Sequence, residues 1–214
     1  VNKKLNYSIF DLKIKTKEKK VKKIKNIHVN LLGNHNIKNA TAAIAIALNI
    51  GIKIDVIKKA IKKFSGIQRR FTKVFSIGKK EFYDDYAHHP TEIKAVINSV
   101  RQVNKDRKII CVFQPHRYSR LKMLKTDFAS SFKSIDEVVL CPVYSAGEKL
   151  RYNYNQKNFS KLIAKKSDTQ VINIYNKNEL ENYLKKNLFS NEMVICMGAG
   201  SISSWIREIG DKFR

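Results

Sequence analysis

The sequence predicts an α/β protein whose largely parallel sheet is flanked by helices. Short apolar runs rich in β-branched residues recur through the second part of the chain, among them Ile109-Ile110-Cys111-Val112-Phe113 and Val194-Ile195-Cys196-Met197. Runs of that kind are what strands buried on both faces look like. Between them lie segments of helical spacing, such as Ile93, Val96, Ile97 and Val100. Such alternation builds βαβ crossovers. Polar clusters also fall where a strand hands over to a helix, and in open α/β sheets ligands bind at the carboxyl ends of strands.

Taken in order, residues 1–31 alternate weakly between apolar and charged, through Val21, Ile24, Ile27 and Val29, and read as hairpin strands. Gly33-Asn34-His35-Asn36 breaks that pattern. The almost purely Ala, Ile and Leu stretch from Ala40 to Leu48 predicts a tightly buried helix closed by Gly51. A second helix is expected from Asp55, a candidate N-cap, to Phe64. Ser65-Gly66-Ile67-Gln68 is the expected domain boundary, dividing the chain into 1–65 and 66–214. Beyond it, strands are expected near 71–77, 80–86, 108–113, 136–141, 170–174 and 192–197. Helices are expected near 91–103, 119–132, 157–166, 177–187 and 202–212. Residues 143–156 read as the longest irregular loop.

Composition narrows the classes. A 43% hydrophobic content is ordinary for a globular core, and no apolar run approaches the length of a membrane span. The first residues lack the apolar core of a secretory signal, and the absence of an initiator methionine suggests part of a longer protein. Forty-three Lys and Arg against 18 Asp and Glu give +25, yet the lysines are scattered, as compositional drift scatters them. Nucleic acid is therefore not the expected partner, although a positive field favours anionic ligands. The three cysteines, Cys111, Cys141 and Cys196, each sit in an apolar run and read as small core residues of a reducing, cytoplasmic compartment.

Four constellations could do chemistry. Asp84-Asp85-Tyr86-Ala87-His88-His89-Pro90-Thr91-Glu92 packs carboxylates, a phenol and imidazoles onto one strand-to-helix turn. Strand alternation places Asp84 and Asp85 on opposite faces, so they are not an acid/base pair. One of them could accept hydrogen bonds from a ribose diol, while His89 before Pro90 suits a helix cap. Arg69-Arg70, entering a strand, should point to opposite faces and leave at most one for a phosphate. In Phe113-Gln114-Pro115-His116-Arg117-Tyr118-Ser119-Arg120, helical spacing would put Arg117 and Arg120 on one side, suited to a carboxylate or phosphate. Positive charge at a helix start is unfavourable and calls for compensation. Gly198-Ala199-Gly200 reads as a tight βα turn without the acidic partner of a dinucleotide site, and no phosphate-cradling P-loop occurs in the chain.

Together with Gly33 to Ala40, Gly66 to Phe71 and Val143 to Glu148, these stretches resemble the Mur ligase family, in the family's order and over nearly the whole chain. The resemblance implies a Rossmann-like ligase domain preceded by the tail end of a P-loop-type ATPase domain. It implies ATP-dependent joining of L-alanine to the carboxylate of UDP-N-acetylmuramic acid, with Mg²⁺ ligands expected upstream of this chain. It matches His35, Asn36 and Asn39 to the adenine side of ATP, Arg70 to its phosphates and Asp85 to the nucleotide ribose. Tyr86, His88, Arg117 and Arg120 match positions lining the sugar-acid and amino-acid site. Asn34 and Ser201 depart from the family pattern, and the latter leaves the glycine turn without an implied role.

Overall fold

Two sheets arise from the apolar patterning, one in each of two compact units, Val1–Ile67 with Ser99–Asn104, and Gln68–Asn98 with Lys105–Arg214. The structure, a computed structural model, describes residues 2–4, 7–15, 21–149 and 153–213.

In the first unit, β1 (Asn2–Lys4), β2 (Tyr7–Lys15) and β3 (Val21–Val29) form an antiparallel meander in that order. Alternation turns Phe10, Ile24, Ile27 and Val29 inward, where they meet Ile44 of α1 (Asn34–Asn49) and Ile57 of α2 (Ile54–Lys63). The α1 helix ends as expected at Gly51, whose φ of 85° frees the Ile52 N–H to reach Ala47 O at 3.0 Å and its own N–H to reach Leu48 O at 3.1 Å. Three expectations are corrected. The helix begins at Asn34, so the Asn34-His35-Asn36 segment belongs to it. It is not tightly buried: β2, β3 and α2 are its main packing partners among the described elements, Ile44 is its one buried residue and Ile46 is 64% exposed. Asp55 lies inside the first turn of α2, with Lys53 at the cap, where its charge still complements the helix dipole.

The second unit contains β4 (Thr72–Ile77), β5 (Lys80–Asp85), α3 (Pro90–Val103) as far as Asn98, β6 (Ile109–Phe113), α4 (Tyr118–Met123) and α5 (Lys125–Ala129). There follow β7 (Glu137–Leu140), α6 (Gln156–Ser167), β8 (Gln170–Asn173), α7 (Lys177–Asn187), β9 (Met193–Met197) and α8 (Ile202–Asp211). The sheet order is β4-β5-β9-β6-β7-β8, and every pairing but β4–β5 is parallel. Every residue of β6 and β9 is buried, as their unbroken apolar runs require. Phe82, Val112, Val194, Ile202, Ile206 and Leu184 share a core on one face, while Phe113 packs against Phe128 and Phe132. The cysteines are free and buried, and burial pushes their thiols well up. The helix expected at 119–132 is instead two short helices broken at Leu124 (φ −110°, ψ 23°), where neither Gly nor Pro marks the break.

Candidate functional site

Strand register sets the site. Asp85 lies beside Met197, and Met197 beside Phe113, so β5, β9 and β6 end at one level and their turns emerge side by side. The point where β9 inserts between β5 and β6 is the kind of crevice in which α/β sheets bind ligands.

The turn after β5 is organised by Asp85. Its carboxylate is 3% exposed and accepts hydrogen bonds from the Ala87 N–H at 2.7 Å and the Phe71 N–H at 2.8 Å. The Tyr86 N–H in turn reaches Arg69 O at 2.7 Å. These bonds fold the 69–71 turn onto the strand end, with Arg69 at φ 61° and Phe71 at φ 50°. Burial raises the Asp85 carboxyl to about 6 against the pull of both N–H donors and Arg70. Glu92 then reaches back to the N–H groups of His88 and His89 at 3.0 and 3.2 Å, while the Thr91 N–H meets His89 Nδ1 at 3.3 Å. His89 thus caps α3, as Pro90 suggested, and a glutamate completes the cap.

Arg69 and Arg70 precede β4, so strand alternation does not govern them, and the expected opposition is not found. Both guanidinium groups approach the Tyr86 ring, at 4.8 and 5.7 Å from its centroid. Their other bonds differ. Arg69 Nη2 donates to Gly198 O at 2.6 Å, and its Nε lies 3.7 Å from Asp84. Arg70 is half exposed, with only a 3.9 Å approach to Glu92. Asp84, fully buried on the face opposite Asp85, accepts from Ser203 Oγ at 2.5 Å and Arg207 Nη2 at 3.1 Å and so anchors α8.

After β9, Gly198-Ala199-Gly200 passes close to β6: a Cβ on Gly200 would lie 2.4 Å from Tyr144 Cγ and 2.5 Å from Gln114 Oε1. Gln114 is 3% exposed; its Oε1 accepts from the Ile202 N–H at 3.0 Å and its Nε2 donates to Ser201 Oγ at 3.1 Å. A glutamine therefore occupies the start of α8. Its organising role was not read from the sequence, where its position at the end of an apolar run was the available signal.

Rings connect the turns. Tyr86 meets His88 at 5.0 Å, His88 meets His116 at 5.7 Å, and His116 stacks on Tyr144 at 5.6 Å. The Asp85 and Arg117 turns are thereby neighbours. Arg117 precedes α4 at φ 70°, its N–H bonded to Tyr144 O at 2.8 Å, so it does not share a helical face with Arg120. Arg120 turns inward, its Nη1 3.3 Å from His116 Nδ1. Compensation for the cations comes from Glu148, which accepts from the Ser119 N–H at 3.0 Å and Ser119 Oγ at 2.6 Å, bonds that hold its carboxyl below the usual range. Arg70, Asp85, Tyr86, His88, Arg117 and Arg120 are thus brought together. His116, Tyr144 and Glu148 join them without having been assigned.

In the first unit, His35, Asn36 and Asn39 share the opening turns of α1. Asn36 Nδ2 donates to Leu32 O at 2.8 Å and lies 3.1 Å from His35 Nε2, and Asn39 is exposed. No cluster of three potential metal-ligating side chains occurs among the described residues.

A mostly parallel α/β domain gathers arginines, histidines and a buried carboxylate at adjoining strand ends, and the chain belongs to the Mur ligase family. Residues 69–200 match the family model described as Mur ligase, glutamate ligase domain. The chain is 49% identical over 203 residues to the UDP-N-acetylmuramate–L-alanine ligase of Pelagibacter ubique, covering 95% of this chain and 44% of that protein. It is 39% identical over 197 residues to the ligase of the same name from Bartonella tribocorum, covering 92% and 41%. A crystal structure of UDP-N-acetylmuramate-alanine ligase from Thermotoga maritima superposes with a TM-score of 0.73 at 25% identity, covering 97% of this chain and 46% of that one. The chain spans less than half the length of these relatives.

Proposed function

We propose that this chain is the carboxy-terminal part of an ATP-dependent ligase that joins L-alanine to the carboxylate of UDP-N-acetylmuramic acid in peptidoglycan synthesis. The contact between His88 and His116 is the observation that favours this reading most, because it unites two turns of complementary chemistry in one cleft. The names of the similar proteins supply the substrates. Residues 1–65 would complete a central ATP-binding domain, and the exposed apolar side chains Ile46, Ile50 and Val56 support that assignment. Residues 66–214 would form the ligase domain. The UDP-holding domain, the P-loop and the Mg²⁺ ligands would belong to the rest of the protein. No helix among the described residues is long and apolar enough to cross a membrane.

In this reading the sugar-acid carboxylate attacks the γ-phosphate of ATP and becomes an acyl phosphate. The alanine amine then attacks the carbonyl, and the tetrahedral intermediate expels phosphate. Arg70 approaches the transferring phosphate, Asp85 the nucleotide ribose, and His35, Asn36 and Asn39 the adenine. Tyr86, His88, Arg117 and Arg120 line the substrate acid and amino acid. Positioning and preorganised charge supply the catalysis.

Ligation assays on the full-length protein, with alanine and with a murein tripeptide as competing acceptors, test the reading. Alanine should be preferred, and preference for the tripeptide would overturn the assignment. The 214-residue chain alone should bind ATP weakly in calorimetry.

A further inference from the structure

We infer that His116 is a neutral hydrogen-bond donor, through Nε2, to an anionic oxygen of the bound substrate, and that Arg120 is the positioning residue that fixes it in that form. The inference rests on the ligase reading, which supplies the anion. An arginine side chain has donors and no acceptor. With Arg120 Nη1 3.3 Å from His116 Nδ1, that ring nitrogen must accept, and the neutral ring's one N–H falls on Nε2. A doubly protonated ring would set N–H against N–H. No hydrogen bond engages Nε2 among the described residues, the ring is half-buried, and Nε2 is not among the buried polar atoms left without a partner.

Its surroundings hold both the orientation and the charge state. Tyr144 stacks on the ring with 19° between the planes, and His88 meets its edge. Burial is the largest influence lowering the imidazole below its ordinary value, followed by Arg120 at α4, His88 after β5 and Arg117 before α4. Glu148, from the loop after β7, opposes them and is outweighed. An imidazole that stays neutral at pH 7 keeps its N–H and offers it to an anion without giving the proton away. Two oxygens in the proposed reaction have the required charge: the carboxylate of the incoming amino acid and the oxyanion of the tetrahedral intermediate.

Histidine-selective ¹⁵N NMR on the full-length protein reads the tautomer directly. His116 should show the Nε2–H form and titrate below the ordinary histidine value of about 6.5. Arg120→Met should release Nδ1, mix the tautomers and move the titration upward. An Nδ1–H signal in the wild type, or spectra unchanged by Arg120→Met, would overturn the inference. This arm needs no turnover, so a wild-type protein that ligates no amino acid would defeat the ligase reading while leaving the tautomer measurable.

Kinetics supply the second arm. His116→Phe keeps the ring stack and removes the donor, and should lower kcat/KM about 10- to 100-fold, the worth of a hydrogen bond to a charged group. His116→Gln places an amide N–H near the Nε2 position and should recover most of that loss. A loss in the alanine KM would identify the carboxylate as the acceptor, and a loss in kcat the oxyanion. Full activity in His116→Phe, or an equal loss in both variants, would sink the assignment.

Discussion

Phe71 and Asp85 are joined by a 2.8 Å hydrogen bond from the Phe71 N–H to Asp85 Oδ2, and this bond folds the arginine turn onto the end of β5. A carboxylate with two N–H donors ordinarily titrates low, but burial outweighs them and lifts Asp85 to about 6 from the ordinary aspartate value of 3.8. The carboxyl binds its proton more readily in the folded state than in the unfolded one. Its contribution to stability is therefore fully present below pH 3.8 and is lost as pH rises through about 6. The shift of roughly two pKa units corresponds to ~3 kcal/mol, as an order of magnitude. Denaturant titrations should show stability falling over that window, and Asp85→Asn should flatten the slope. Activity should run the other way, declining below pH 6 as the clamp protonates. A carboxyl ¹³C titration midpoint at or below the ordinary aspartate value would refute the account.

The neighbouring arginines should give opposite phenotypes. Arg70→Ala removes a half-exposed guanidinium with one loose ion pair and should change stability by less than about 1 kcal/mol. Turnover of the full-length enzyme should nevertheless fall about 100-fold or more, the cost typical of losing a preorganised charge partner. Arg69→Ala breaks the bond to Gly198 O and leaves buried Asp84 with Arg207 as its remaining guanidinium partner, so it should cost about 1–2 kcal/mol. Thermal melts beside initial rates would separate the two; a destabilised Arg70→Ala protein would contradict the division of labour.

Arg117 holds a left-handed backbone conformation at φ 70° without being glycine. Such strain persists at functional sites when the surrounding structure over-determines it. Arg117→Gly should leave stability unchanged or improve it by up to about 1 kcal/mol while lowering ligation activity. Clear destabilisation in denaturant curves would mean that the side chain, and not the backbone, holds the turn.

Gln114→Ala should cost about 1–2 kcal/mol, because the Ile202 N–H at the start of α8 loses its acceptor. Gly200→Ala should cost more, since the added methyl meets Tyr144 and Gln114 far inside contact distance. Amide hydrogen exchange should locate both effects at the start of α8, and unchanged protection there would rule out the glutamine as its cap.

The strands of the ligase domain were legible because burial on both faces leaves unbroken apolar runs, as in β6 and β9. The site was legible as far as strand ends reveal themselves in polar clusters such as Asp84 to Glu92. What escaped depended on contacts between distant segments. Nothing local announces that β9 inserts between β5 and β6, that Gln114 caps a helix 88 residues away, or that both arginines lie over Tyr86. The expectation for Arg69 and Arg70 failed because period-two reasoning was applied one turn before the strand begins. The burial of α1 was overestimated because composition records what a helix would cover, not what packs on it here.

Among the described strands, the one latest in the sequence is the one on which the sheet closes. Until residues 193–197 emerge, β5 and β6 have no shared edge, and the two halves of the cleft cannot be brought into register. A nascent chain stalled even slightly short of that point would display two unpaired strand edges, one of them the wholly apolar β6, an invitation to aggregation. Vectorial synthesis therefore delays assembly of the cleft until β9 has been made, well after β5 and β6.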